Sequence, residues 1–118
     1  DPAPAFAQFK TDLAAMKSAR DALYARDSSV QSQGSAYLAE WEKSNATITD
    51  AELKETAEKR RMKLQEALAS LEKPMGDLRA GLDPAVAALE DLQKVLAADL
   101  SPAGIDAVAS KANVLDIR

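Results

Sequence analysis

The chain has 118 residues, of which 47% are hydrophobic, 29% are charged and only 4% are aromatic. Its formal net charge of -4 argues against a general nucleic-acid binder, because such proteins usually carry a basic excess. The absence of Cys and His excludes zinc fingers, iron–sulfur sites, disulfide frameworks and histidine-based acid–base catalysis. The length suits one domain over residues 1–118, and the alanine-rich apolar set suits a thin core.

The first predicted element is a helix over residues 4–45. Its apolar residues recur at intervals of three, four or seven, which is typical of a heptad-like stripe. They are Phe6, Phe9, Leu13, Met16, Leu23, Val30, Tyr37 and Trp41. Arg20, Asp27 and Gly34 occupy stripe positions that should be apolar. They would face solvent in a monomer or pair across a dimer seam, where polar residues often fix the register. A monomer is favoured over a homodimer, because the second helix already supplies a long partner.

The joint between the first two helices carries a complete helix-start pattern over residues 48–53. Thr49 would be the N-cap and Glu52 would complete a capping box at N3. Ile48 before the cap and Leu53 at N4 would form a hydrophobic staple. The turn itself is predicted at residues 45–48. The pattern therefore predicts an antiparallel helical hairpin.

The second helix is predicted over about residues 50–99. Its apolar positions keep one phase across both internal prolines. They are Leu53, Ala57, Leu64, Leu68, Leu71, Met75, Leu78, Leu82, Val86, Leu89, Leu92 and Leu96. Pro74 predicts a kink, because proline removes a hydrogen bond and clashes with the preceding turn. Residues 81–84 predict a break or sharp bend, with Asp83 as a cap and Pro84 at the first helical position.

A short third helix is predicted over about residues 102–113, with Ser101 as N-cap and Pro102 at N1. Its apolar face holds Ile105, Val108, Ala109 and Ala112. A helix this short needs packing to be stable, so we expect it to fold back and to bury Ile105. The expected contacts are Phe6, Phe9 and Leu13 of the first helix and Leu92 and Leu96 of the second. The alternative is a detachable docking element. The predicted fold is thus all-α, an elongated antiparallel hairpin with a three-helix bundle at one end.

Several segments resemble a known family. They are residues 39–42, the charged helix 53–71, residues 83–86 with the leucines that follow, and residues 100–105. Over residues 37–108 the chain resembles a bacterial family of secreted or lipid-anchored helical proteins that is classified only as a domain of unknown function. The resemblance implies an extracytoplasmic location, periplasmic or in the cell envelope, and no catalytic residue. The chain lacks the Cys to which a lipid would be attached.

The strongest candidate contact site is the basic run of Lys59, Arg60, Arg61 and Lys63. On a helix these charges spread around the circumference and flanking Glu residues offset them, so a solvated face competes with an anion contact. Trp41 would serve packing or stack on a ligand. A carboxylate cation site could be built only from Glu side chains, among them Glu40, Glu42, Glu52 and Glu55, because there is no His.

The sequence predicts a non-catalytic structural or protein-interaction module with no cofactor and no metal. The expected partner is another protein, and no nucleic acid is expected. The alternative function is peripheral binding to an anionic surface, a membrane lipid or a nucleic acid, through residues 59–63. Steep salt dependence would favour that alternative.

Overall fold

The computed structural model describes residues 2–114, and the side chains of residues 2–111. Within that range it contains four helices and no strand: α1 (Ala3–Ala46), α2 (Ala51–Ala69), α3 (Glu72–Ala98) and α4 (Pro102–Val114). The all-α prediction is confirmed, as are the long first helix and the short last one. Residue contacts define two compact units. Unit 1 contains α1 up to Arg20, α3 from Ala80, and α4; unit 2 contains residues 21–79.

Unit 1 contains the three-helix core. Leu13 of α1 is buried against Val86, Leu89 and Leu92 of α3. Three half-buried side chains pack on this cluster, and they come from α1, α3 and α4: Phe9, Leu82 and Val108. The predicted fold-back of the last helix is therefore confirmed through Val108.

Ile105 does not take the buried position that the sequence predicted for it. Its side chain is 37% exposed and lies in the wall of an open cleft between α1 and α4. Val108, one turn further on, makes the core contact instead. The side chain of Ala112 lies outside the described residues.

The turn from α3 to α4 is held by local polar contacts. Ser101 Oγ accepts a hydrogen bond from the Gly104 backbone N–H at 3.4 Å, which confirms Ser101 as the N-cap. The Ser101 N–H in turn donates to Asp99 Oδ1 at 2.9 Å. A Cβ on Gly104 would clash with the Asp99 carbonyl oxygen and lie 3.1 Å from its carbon. Only glycine therefore allows α4 to begin this close to the end of α3.

Unit 2 is an antiparallel pairing of α1 with α2 and the first turns of α3. Gln31 Nε2 of α1 donates to the Leu68 carbonyl of α2 at 3.3 Å. Gly34 is buried beneath the Leu68 side chain. Apart from Gly34, the only buried residue described in this unit is Asn45. Unit 2 therefore lacks the buried apolar cluster that stabilises unit 1.

The face of α1 that packs inside the chain differs from the predicted apolar stripe. Arg20 pairs with Asp83 at 3.7 Å in unit 1, and Asp27 pairs with Arg79 at 3.6 Å in unit 2. The side chains of Arg20 and Asp27 are only 18% and 15% exposed. Both sequence interpretations of these polar positions are therefore wrong, because they face other helices of the same chain. Four stripe members are instead 41–61% exposed: Met16, Leu23, Val30 and Tyr37.

The predicted capping box is wrong by one residue. Asp50, not Thr49, is the N-cap of α2, and its Oδ1 accepts from the Leu53 backbone N–H at 2.9 Å. Glu52 therefore falls at N2, and Leu53, which is 64% exposed, falls at N3. A carboxylate caps as well as a hydroxyl and also opposes the positive end of the helix dipole, so Asp50 is a better cap than Thr49.

The two prolines act differently from one another. The second predicted helix divides into α2 and α3 at Ser70 and Leu71. Pro74 follows in the first turn of α3, where no N–H is needed. A break or sharp bend was the prediction for residues 81–84, and the break is wrong, because α3 runs through Pro84 without interruption. Burial of Val86 and the two leucines after it offsets the cost of about 3 kcal/mol for an internal proline.

Candidate interaction surfaces

The basic run 59–63 is divided by the ion pairs of its members. Lys59 Nζ lies 3.2 Å from Glu55 Oε1, and Arg61 Nε donates to Glu58 Oε2 at 3.1 Å. Arg60 and Lys63 are exposed, and no ion pair involves either of them within residues 2–111. Of the four residues of the predicted anion site, Lys59 and Arg61 are therefore neutralised by acidic neighbours, which leaves Arg60 and Lys63 for an anion.

Arg61 belongs to a polar cluster with Asn45 and Glu58. Asn45 Nδ2 donates to Glu58 Oε1 at 3.0 Å, and Asn45 is only 7% exposed. The hydrogen bonds from Asn45 and then Arg61 lower the pKa of Glu58 below its ordinary value of 4.5, since both stabilise the carboxylate. This cluster joins α1 to α2 near the turn, and its role is structural. Sequence patterns missed it, because Asn45 was assigned to the turn.

A second polar contact in unit 2 joins α1 to α3. The Arg79 guanidinium pairs with Asp27 and lies over the Tyr24 ring, 4.6 Å from its centroid. Such a cation–π contact adds about 0.5–1 kcal/mol at a partly exposed site. These contacts hold the inner face of α1 against α3.

In unit 2, α1 carries nine exposed residues in three columns of heptad spacing, which begin beside its inner face and extend round to the opposite side. We call them the outer face of α1. They are Ala22, Ser29 and Ala36; Arg26, Gln33 and Glu40; and Leu23, Val30 and Tyr37. Leu23, Val30 and Tyr37 are 41%, 46% and 61% exposed. No charged residue occurs between residues 28 and 39, although charged residues make up 29% of the chain. The middle of this face is therefore uncharged and carries exposed apolar side chains beside neutral polar ones.

The outer face of α1 contains a concavity of about 280 Å³ formed by this helix alone. Its walls are Gln33, Ala36, Tyr37 and Glu40. These residues are spaced i, i+3, i+4 and i+7, and four such residues form the hole that receives a side chain in coiled-coil packing. The sequence contained the signal for this surface, namely the repeat of seven residues and the missing charges.

Unit 1 offers two apolar clefts beside α4. One of about 340 Å³ is walled by apolar residues only, among them Phe6, Phe9 and Ile105. The other, of about 550 Å³, includes Asp91 and Lys111. Both are open grooves that share Leu92 and Val108.

The tryptophan and the four glutamates that the sequence singled out do not form a common site. Trp41 is half-buried in α1. Glu40, Glu42, Glu52 and Glu55 are exposed, and within the described residues no three acidic side chains are grouped as a metal ion would require. None of the described helices is both long enough and apolar enough to cross a membrane.

Comparison with known protein families gives a match over almost the whole chain. The model of DUF2959, described as a protein of unknown function, matches residues 3–118. The chain belongs to the DUF2959 family. Membership confirms the resemblance found in the sequence and extends it from residues 37–108 to almost the whole chain. No curated protein and no solved structure matches the chain.

Membership in DUF2959 assigns no role to any residue, because the family is defined without a known function. A functional argument for this DUF2959 chain therefore depends on its own surfaces. Of these, the outer face of α1 combines exposed apolar side chains with a concavity of the kind that receives a side chain in coiled-coil packing.

Proposed function

We propose that this chain is a non-catalytic protein-interaction module that docks another helix on the outer face of α1. The observation that carries the proposal is the open hole formed by Gln33, Ala36, Tyr37 and Glu40 beside an exposed apolar column. A helical partner with heptad spacing would place one side chain in this hole and cover Val30 and Tyr37. Large apolar patches on a soluble surface usually mark such contacts.

The chemistry of the titratable groups supports a non-catalytic role. Two carboxylates have a lowered pKa, Glu58 through hydrogen bonds from Asn45 and Arg61, and Asp99 through hydrogen bonds from Ser101. The Asn45 donor belongs to a contact between α1 and α2, and the Ser101 donor lies at the start of α4. These shifts are accounted for by structural hydrogen bonds rather than by an arrangement for acid–base chemistry.

Site-specific photo-cross-linking in the cells that produce the protein tests the proposal. A photoreactive benzoylphenylalanine at Tyr37 should give an adduct of discrete mass with another polypeptide. The matched control places it at Met62 of α2, which is 51% exposed in the same unit. Adduct formation at position 37 no stronger than at position 62 would contradict the proposal.

We also propose that the module works outside the cytoplasm, in the periplasm or cell envelope of a bacterium. The resemblance to secreted helical proteins supports this location, and a chain without Cys is compatible with an oxidising compartment. Release of the natively encoded protein by osmotic shock, with a cytoplasmic marker retained, is the expected result. Recovery with the cytoplasmic marker would refute the location.

The second candidate function is binding to an anionic surface, and exposed Arg60 and Lys63 favour it. Binding to vesicles containing anionic lipid should then fall steeply with salt and fall further in Arg60→Gln/Lys63→Gln. A control exchange at exposed Lys73, which is paired with Asp77 at 2.8 Å, should have little effect. Vesicle binding that is absent at low salt would eliminate this candidate.

A further inference from the structure

We propose that the helix docked on the outer face of α1 is α1 of a second copy of this chain, antiparallel and related by a two-fold axis at Gln33. The inference rests on the proposed function and names its partner. It follows from the way the residues of this face are arranged around Gln33.

The charged residues of the face are self-complementary. Arg26 and Glu40 lie seven residues before and after Gln33, in the same column, and both are exposed. In a two-fold interface, residues at equal distances on opposite sides of the axis lie opposite each other. Arg26 would therefore face the partner's Glu40, and the pair would occur twice. A parallel arrangement would instead bring Arg26 against the partner's Arg26, which is unfavourable.

The apolar residues fit the same axis. Val30 and Tyr37 lie on the same flank of Gln33, three residues before it and four residues after it. A two-fold axis keeps each residue on its own flank, so Val30 would lie beside the partner's Tyr37, in the wall of the hole that Gln33, Ala36, Tyr37 and Glu40 form. A valine that is 46% exposed would enter a hole that the free chain leaves open.

The centre of the face allows close approach without repulsion. Residues 28–39 carry no charge, so the axis brings no like charges together. Ser29 and Ala36 are small, and Gln33 Nε2 already donates to Ser29 Oγ at 3.3 Å within the helix. Because Gln33 and Ser29 are already hydrogen-bonded to each other, a second copy could cover them without leaving both groups unpaired.

The size of the face predicts a dimer that depends on concentration. Residues 22–40 span about 28 Å at 1.5 Å per residue, and a single helix presents them. Such a contact falls at the low end of specific interfaces, near or below about 1,200 Å² in total. Association should therefore appear as the concentration rises from micromolar towards millimolar.

Sedimentation equilibrium over that range tests the proposal. The native chain should shift from monomer to dimer, and Val30→Asp should remain a monomer with unchanged helical circular dichroism. Met62→Asp is the matched control, because Met62 is similarly exposed on α2 and lies outside the face. It should dimerise like the native chain. A native chain that stays monomeric throughout, or a dimer lost in Met62→Asp but kept in Val30→Asp, would overturn the inference.

Charge reversal tests the antiparallel arrangement. Arg26→Glu and Glu40→Arg should each weaken the dimer by about tenfold, because both attractive pairs become repulsive. An equimolar mixture of the two variants should recover association, since each chain then offers the charges that the other lacks. No recovery in the mixture would refute this pairing.

The test separates this inference from the proposed function. A monomeric chain that still gives a position-37 adduct with a different protein would refute self-association and leave the interaction role intact. A chain that gives no adduct would overturn both.

Discussion

Gly34→Ala tests the contact that brings α1 and α2 together in unit 2. In an unobstructed helix interior this substitution stabilises by about 1 kcal/mol. Here the new Cβ would lie 2.7 Å from Leu68 Cδ2 and 3.1 Å from Leu68 Cγ, so the leucine must move. Overpacking of this kind costs about 1–3 kcal/mol. We therefore expect a net destabilisation of about 1 kcal/mol.

The same substitution should change sign when Leu68 is shortened. Leu68 is half-buried, so Leu68→Ala should cost about 2 kcal/mol, the low end for leucine truncation. Leu68→Ala removes the three atoms that lie nearest the Cβ at position 34, so the helix-propensity gain of about 1 kcal/mol should remain. The double-mutant cycle should therefore give a favourable interaction energy of about 2 kcal/mol.

Urea denaturation followed by circular dichroism measures these differences, provided that the slopes agree between variants. Gly76→Ala in α3 is the control, because nothing lies within 4 Å of a Cβ at that position. It should stabilise by about 1 kcal/mol with either residue at position 68. If Gly34→Ala behaves like Gly76→Ala in both backgrounds, then Leu68 does not cover Gly34 and the packing argument fails.

Three further outcomes follow from the caps, the core and the polar cluster. Asp50→Ala should cost about 1 kcal/mol in thermal unfolding and Thr49→Ala much less, since Asp50 is the N-cap; equal losses would contradict that assignment. Ile105→Ala should cost about 1 kcal/mol, below the range for buried residues, because its side chain is 37% exposed. A loss above about 3 kcal/mol would show a buried side chain. The lowered pKa of Glu58 means that its contribution to stability is present above pH 4.5 and is lost as the pH falls through the folded-state pKa. Asn45→Ala removes one of the hydrogen bonds that lower this pKa, so the stability of the variant should depend less on pH than that of the native chain. Identical acid-unfolding profiles of the two chains would refute the hydrogen bond.

Local signals in the sequence predicted the elements well. The long helix α1, the Ser101–Pro102 start of α4 and the fold-back of α4 are all confirmed. Helix propensity, capping and spacing are properties of short segments, so they can be recognised without knowing what a segment packs against. The cap of α2 was misplaced because Thr49 and Asp50 are both good caps, and the choice between them depends on a small energy difference.

The candidate surface could be predicted only in part. The basic run was visible in the sequence, but the pairing of Lys59 and Arg61 with acidic neighbours depends on side-chain positions. The outer face of α1 was overlooked because its apolar residues were assigned to the core. Its heptad spacing and the uncharged stretch over residues 28–39 were present in the sequence, but the exposure of its side chains was not.

The sequence by itself determined that the chain is helical, that a turn follows α1 and that a short helix begins at Pro102. Only the tertiary structure decided which side of α1 faces inward, since α1 has two competing columns at intervals of seven. Asp27 lies inside because Arg79 neutralises it, and Gly34 lies inside because Leu68 fills the space above it. Packing in unit 1 likewise carried α3 through Pro84, because burial of Val86, Leu89 and Leu92 offsets the cost of about 3 kcal/mol for an internal proline. Such choices depend on partners distant in sequence, so no local pattern contains them.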